Sequence, residues 1–439
     1  MTLRPAAAAL AVLASALLPQ DSRAADVPES LTGIDLRREH AARRAALAAA
    51  LPEDSIAVVV AVRSDPSGVF APRQEEDYRW LTGVDEAEGV LLLSSPPAKG
   101  RPHREVLLLP PRSPRGEVWV GKRLYPGPEA EAATGLAETA DLGKAVEVLA
   151  ERMKGARKVV VPRAGRAGEH ADRLFGDLLR ERRAKVQDLE SLTGPLRMVK
   201  SAEEVARIRR ASVLSAEGHR RAMAAARPGM PEYAVQAVFE EACREGGCRR
   251  QAYDSIVGSG PNSCVLHYSR NRRVLEEGDL VLVDAGGEFL GYATDVTRTW
   301  PVAATFTAEQ AAVYDAVLEA QAAGAAAAKP GATFLDVEAA CRKVLKDRGF
   351  EAGWLHGPCH WVGLAVHDPN GPPTTPLRPG CVFTIEPGAY FPAKSLGIRI
   401  EDTFLMREDG SLDCLSKDAP KARAEIEALR AAALSGDRK

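Results

Sequence analysis

Short apolar runs alternate with stretches of helical period across the first half of the chain. Residues 56–62, 90–93, 106–109 and 158–161 are dense in Val, Ile and Leu, the pattern of buried strands. Between them, residues 36–51, the set Val146, Leu149, Ala150 and Met153, and the charged stretch 168–183 have the spacing of helices. Such alternation predicts an α/β domain, with Gly194-Pro195 punctuating its end. The second half reads differently. Ser201 with Glu204 three residues later forms a capping-box signature that opens a helix running to Pro228-Gly229. A second helix runs from Pro231 to Gly246-Gly247. From Ile256 onward strands and Gly-rich turns dominate, interrupted by helical stretches at 309–328 and 334–347 and closed by an amphipathic helix near 420–433.

This pattern places a domain border near residue 195. The expected organisation is a leader at 1–24, an α/β N-terminal domain at 30–195 and an α+β domain at 196–435. A chain of 439 residues is too long for one ordinary core, which agrees with two domains. The leader is read from Arg4, a thirteen-residue stretch from Ala6 to Leu18 that is apolar but for Ser15, and the small-x-small Ser22-Arg23-Ala24. A membrane-spanning helix needs ~20 apolar residues, so a signal peptide cleaved near Ala24 is expected. Export to a periplasm or the exterior follows, with no membrane span after cleavage.

Composition adds little. The net charge of -2 gives no reason to expect nucleic acid as a partner. Seven cysteines, all from Cys243 onward, leave at least one thiol free and form no zinc clip. Cys243 and Cys248 are close enough in sequence to bridge, but buried free thiols are the expectation.

The chemistry lies in the acids. Asp284 ends the apolar run Leu280-Val281-Leu282-Val283, and Asp295 interrupts a second such run. Glu386 follows Cys381 to Ile385, and Glu401 follows Ile398-Arg399-Ile400. Buried anions must be paired or metal-bound. Four of them, with histidines in neighbouring turns (His267, His356, His360 and His367), point to a shared cation cluster. Four carboxylates and one imidazole exceed a single tetrahedral zinc site and suit two divalent ions bridged by carboxylates. Oxygen-rich ligation favours Mn2+, with Co2+ or Zn2+ admitted by the imidazole. A helical zinc motif at His356 and His360 is excluded by the intervening Gly357-Pro358. A turn or strand pair is expected there.

Five segments carry a family resemblance: "YDSIVGSGPNSCVLHYSRN" (253–271), "GDLVLVDAGGEFLGYATDVTRTWPV" (278–302), "HGPCHWVGLAVHD" (356–368), "TIEPGAY" (384–390) and "GIRIED" (397–402). In this order they resemble the pita-bread metallopeptidases, and within them the proline-specific aminopeptidase P (Xaa-Pro aminopeptidase) family. "RQEEDYRWLTG" (73–83) and "EVWVGKR" (117–123) resemble that family's N-terminal domain. The chain departs from the family at Asp85-Glu86-Ala87, where Glu-Pro is usual, and at Pro358-Cys359.

The resemblance implies an α/β N-terminal domain followed by a pita-bread catalytic domain. It implies Asp284, Asp295, His360, Glu386 and Glu401 as ligands of two metal ions, with Asp295 and Glu401 bridging. His267 would contact substrate and help move protons, His367 would steady the tetrahedral intermediate, and His356 would line the site. Arg399 would orient Glu401, while Tyr253 and Tyr390 would line or brace the cavity. Glu386 would pass a proton from water to the leaving nitrogen. The implied substrates are peptides with proline in second position, and the implied assembly is a homo-oligomer. A prolidase acting on Xaa-Pro dipeptides is the alternative. A non-catalytic or creatinase-like member would have lost ligands, and none is lost here.

Overall fold

In the computed structural model, alternation along three neighbouring strands decides how the first half packs. Ile56, Val58, Val60, Val90, Leu92, Val106 and Leu108 point to one face of a six-stranded sheet, where Leu149 and Phe175 of two helices cover them. Ala57, Val59, Leu91, Leu93, Leu107 and Leu109 point to the other, a consequence of the two-residue period of a strand. The sheet order is Thr139–Asp141, Glu105–Leu109, Val90–Ser94, Ser55–Val60, Lys158–Val161, Lys185–Asp188. Its central pairings are antiparallel and its outer ones parallel. Residues 36–62, 73–86, 88–95, 104–156, 158–368 and 371–436 are described by the structure. The leader at 1–24 and Ala87 lie outside them.

The second face of this sheet meets the other half of the chain. Its core continues without a break into Ile208, Tyr292, Val362, Leu364 and Val382. Polar bonds run along the same seam. Glu204 accepts from Trp80 Nε1 at 3.2 Å and from the Tyr292 hydroxyl at 2.9 Å. Arg73 reaches Glu288 at 2.8 Å. Arg197 joins Asp77 at 2.8 Å to Asp368, which also takes Lys200 at 3.2 Å. Arg197 is almost wholly buried. Removing one partner of a buried pair leaves an uncompensated charge, so Arg197→Met is expected to cost about 3–5 kcal/mol. Urea unfolding would measure it, and a loss under about 1 kcal/mol, the scale of a surface pair, would contradict that view of the seam.

The expected helices form with small shifts. They are Arg37–Ala50, Ala145–Arg152, Gly165–Glu181, Ala202–Ala225, Glu232–Glu245, Ala308–Ala327, Phe334–Asp347 and Arg423–Gly436. The capping box is made in both directions, with Ser201 Oγ accepting from Glu204 N and Glu204 Oε2 accepting from Ser201 N. Gly194-Pro195, expected at the end of the first domain, lies inside the helix Glu190–Arg197, which ends two residues later. In so short a helix the missing Pro N–H forfeits little, and burial of Thr193 and Arg197 holds the turn.

Small sheets, wrapped by those helices, carry the candidate site. Leu280–Asp284 lies between Ile256–Ser259 and Thr297–Pro301, and pairs antiparallel with both. Val382–Ile385 pairs with Asp402–Met406, and Gly388–Phe391 with Leu396–Arg399. A single bridge, Thr297 to Glu401, ties the first set to the second. His356 to His360 is irregular chain followed by the bridge Trp361 to Phe383.

Candidate active site

The strand ends bring four acids from distant parts of the chain together. Asp284 is the last residue of its strand, and Asp295 lies two residues before the strand paired with it. Glu386 follows Val382–Ile385, and Glu401 stands between Leu396–Arg399 and Asp402–Met406. His360 enters from the irregular segment, its amide donating to Thr384 Oγ1 at 3.0 Å. All five line one cavity of about 290 Å³, together with His267, His356 and His367.

Within it, His360 Nε2 lies 3.3 Å from Asp295 Oδ2, 3.4 Å from Glu386 Oε1 and 3.8 Å from Glu401 Oε1. Ligand atoms of Asp295, His360 and Glu401 all fall within 4.8 Å of one another. Asp284 and Glu386 line the cavity outside that triad. The Tyr253 hydroxyl is shared between Asp284 Oδ1, at 2.6 Å, and Asp295 Oδ1. Arg399 Nη2 lies 2.5 Å from Asp284 Oδ2.

Electrostatics show how far this cluster is from neutral. Burial, then the neighbouring Asp284 charge, pushes Asp295 up. Burial drives Glu401 well above the ordinary carboxylate range and Glu386 to about 7. Asp284 is the exception. Burial alone would raise it, but the Arg399 guanidinium overrides that and holds it low. His360 is raised to about 9: burial opposes its charge, but the bond to Asp295 and the charge of Glu386 outweigh burial. Glu401 Oε1 is buried and accepts no hydrogen bond. Four acids against one guanidinium, with an orphaned carboxylate oxygen aimed at an imidazole, form a donor set that fits divalent cations.

A pH dependence follows. Glu386 keeps its proton in the fold up to about 7, whereas an unfolded glutamate loses it near 4.5. The metal-free fold therefore binds more protons than the unfolded chain in that window, and Glu386's contribution to stability falls as pH rises from 4.5 to 7. A cation must displace these protons and, below about 9, the one on His360. Mn2+ affinity is expected to rise steadily from pH 6 to 8 with release of at least one proton. Calorimetry in buffers of different ionisation enthalpy would count it, and pH-independent affinity would contradict the cluster's protonation.

Other side chains hold the cluster in shape. Arg399 donates to the Tyr390 hydroxyl at 2.8 Å and to Thr297 Oγ1 at 3.2 Å. Its carboxylate partner is thus Asp284, and it reaches Glu401 only through Thr297, whose hydroxyl donates to Glu401 Oε2 at 2.6 Å. Sequence reasoning passed over Thr297. Its signal was the two-residue period, since Asp295, Thr297 and Thr299 put polar groups on one side of a buried run.

Each histidine on the wall has a distinct setting. His356 Nε2 lies 2.8 Å from the Tyr390 hydroxyl and its Nδ1 lies 2.9 Å from Gly357 O. With Arg399 donating to that same hydroxyl, Tyr390 donates to Nε2 and His356 carries its proton on Nδ1. Burial and then Arg399 lower it to about 4, so it is neutral. His367 stands at the rim, its ring 4.3 Å from that of His360 and edge-on to it. Burial, then His360 and His267, lower it to about 4 as well. His267 is exposed at the mouth. Cys359 also lines the cavity, and burial holds its thiol well above the usual range, hence un-ionised. All seven cysteines are free, Cys243 and Cys248 included.

Known proteins share this arrangement of sequence and fold. The model of metallopeptidase family M24 matches residues 206–408, and that of the aminopeptidase P N-terminal domain matches residues 40–161. Xaa-Pro aminopeptidase of Escherichia coli is 32% identical, over 90% of this chain and 98% of its own length. Human Xaa-Pro aminopeptidase 3 is 34% identical, over 81% of this chain and 76% of its own. Among solved structures, an Escherichia coli aminopeptidase P variant in complex with substrate aligns with a TM-score of 0.83 and 31% identity, covering 91% of this chain and 99% of that one. Aminopeptidase PepP of Pseudomonas aeruginosa aligns with a TM-score of 0.82 and 32% identity, over the same shares. With both domains matched in order and 98% of the Escherichia coli relative covered, this chain belongs to the aminopeptidase P proteins of the M24 pita-bread metallopeptidase family.

Proposed function

We propose that this protein is a metal-dependent aminopeptidase that removes the N-terminal residue from peptides with proline in second position. The observation that carries this reading is the set of four carboxylates and one imidazole, buried or half-buried, that lines one cavity with three further histidines. The likeness to Xaa-Pro aminopeptidases over both domains supports the same substrate class. Asp284, Asp295, His360, Glu386 and Glu401 would hold two divalent ions. Mn2+ is the proposed metal, because oxygen donors outnumber the single imidazole. When bound, the ions supply a more acidic water and a Lewis acid for the scissile carbonyl.

The remaining work falls to the chain's own groups. A peptide bond before proline has a tertiary amide nitrogen, which must be protonated before it leaves. Glu386, half-buried and lifted to about 7, is suited to take a proton from water on Oε1 or Oε2 and deliver it to that nitrogen. His367, neutral at the rim, would donate an N–H to the developing oxyanion. His267 stands at the mouth, where it would meet the substrate and relay protons. His356 has both ring nitrogens engaged, so it shapes the wall and does not offer a free N–H.

Two further readings rest on narrower grounds. We propose export, on the pattern of residues 1–24, and self-association, supported by the 83% and 81% exposure of Val118 and Trp119 on the short helix Pro114–Val120. Among the described residues no helix is long and apolar enough to cross a membrane. The prolidase alternative is not favoured, since the Xaa-Pro aminopeptidase of Escherichia coli matches 90% of this chain, across both domains. Product analysis decides the substrate class. With Mn2+ present, Xaa-Pro-Yaa tripeptides are expected to release Xaa and Pro-Yaa. Turnover confined to Xaa-Pro dipeptides would transfer the protein to the prolidases.

A further inference from the structure

The strand that ends in Asp284 and the one that Asp295 precedes stay joined past the pair Thr297 and Asp284 by one further backbone bond, Ala285 N to Val296 O at 3.1 Å, after which the loop between the acids turns away. One helix braces this loop. Along Ala202–Ala225, Ser212, Ser215 and His219 are spaced three and four residues apart and so lie on one face. Ser212 Oγ lies 2.7 Å from Thr294 Oγ1, next to Asp295. Ser215 Oγ accepts from Gly287 N at 2.9 Å. His219 Nε2 lies 3.1 Å from Ala285 O and 3.0 Å from Val296 O.

Those last two carbonyls belong to the residues that directly follow Asp284 and Asp295 in the chain. Both are acceptors, so Nε2 carries the proton and a single N–H is divided between them. The other nitrogen, Nδ1, is buried without a partner. The ring is fully buried and packs edge-on to Phe239 at 4.9 Å. Burial, then the Arg298 charge, lowers His219 to about 3, so it contributes no charge to the acids above it. Leaving Nδ1 unsatisfied has a cost that an apolar residue of similar size would avoid. What the imidazole provides in return is one donor shared by both main chains, which reinforces the Ala285 N to Val296 O bond and holds the two carbonyls at a fixed separation.

We propose that His219 is a positioning residue for the metal centre, setting the distance between the Asp284 and Asp295 carboxylates by clamping the carbonyls of Ala285 and Val296. This rests on the reading of the acid cluster as a metal site. Groups behind metal ligands tune affinity by about 10–100-fold, and that is the expected loss of Mn2+ affinity in His219→Leu, which keeps apolar bulk and removes the donor.

The test titrates Mn2+ into chelator-stripped full-length protein by calorimetry, with the unfolding temperature of the metal-free form measured alongside. Met223→Ala is the control, because Met223 is buried in the same helix and makes no contact with the loop of the acids through hydrogen bonds. It is expected to lower the unfolding temperature with Mn2+ affinity unchanged, whereas His219→Leu lowers both. His219→Gln keeps an N–H and is expected to recover much of the affinity, and His219→Asn, too short to reach, is not. That Gln and Asn pair decides the matter should His219→Leu fail to fold. Wild-type affinity in His219→Leu, or equal affinity in the Gln and Asn variants, would reduce His219 to a core residue and leave the metal reading intact. Wild-type protein that takes up no Mn2+ would overturn both.

Discussion

Glu401→Gln is expected to abolish turnover while making the metal-free protein more stable. The side chain is buried, its Oε1 has no hydrogen-bond partner, and its carboxyl is pushed well above the ordinary range by burial and then by Asp295 and Glu386. At neutral pH the fold must either hold a proton there or tolerate a charge beside two other acids. An amide of the same shape needs neither, and its oxygen still accepts from Thr297 Oγ1. A gain in stability at pH 7 is expected, because the amide removes a carboxyl that burial and the neighbouring acids raise well above its ordinary range. The same change removes a charged ligand from the triad with Asp295 and His360. Loss of a group that stabilises developing charge costs about 10²–10³-fold, and loss of an ion would exceed that. Thermal unfolding with and without Mn2+ separates the two effects. A variant less stable than wild type without metal would contradict the electrostatic account of the cluster.

Arg399→Met is expected to do the reverse. Its guanidinium is the cation that holds Asp284 below its ordinary value, and it also joins the Tyr390 hydroxyl and Thr297. Without it the metal-free protein keeps a buried carboxylate with no positive partner, at a cost of about 3–5 kcal/mol. Mn2+ is expected to restore most of that stability, because a cation beside Asp284 replaces the missing charge. Catalytic efficiency is not restored and falls by about 10–100-fold, since Tyr390 and through it His356 lose their anchor. Arg399→Lys is expected to rescue stability better than kcat/KM, because an ammonium lacks the planar fork that spans these acceptors. A Mn2+-saturated Arg399→Met protein with wild-type efficiency would show that this anchor has no part in the reaction.

Local pattern made much of the fold legible. The strands of the first sheet follow from dense β-branched runs, and the helix Ala202–Ala225 from a capping box that is made atom for atom. The irregular course at His356 to His360 follows from Gly357-Pro358. What stayed hidden is either short or non-local. The helix Glu76–Thr82 and the edge strands Thr139–Asp141 and Lys185–Asp188 have too few residues to show a period. The helix Glu190–Arg197 contradicts its own Gly-Pro signal because tertiary burial outweighs propensity. The acids were visible because a carboxylate at the end of an apolar strand is costly wherever it occurs. Their partners were less so. Nothing local says that Arg399 meets Asp284 instead of Glu401, or that Arg197 joins Asp77, 120 residues before it, to Asp368, 171 residues after it. Such pairings depend on which strand ends converge, and only the assembled fold shows that.

The central claim is that these five side chains form a two-ion site that the peptidase reaction requires. It is tested most directly by titrating Mn2+ into chelator-stripped protein while following release of Xaa from an Xaa-Pro-Yaa tripeptide. Activity absent in the stripped protein and rising to a plateau at two equivalents per chain is the expected result. Turnover that persists after stripping, or protein that binds no Mn2+ at neutral pH, would contradict it.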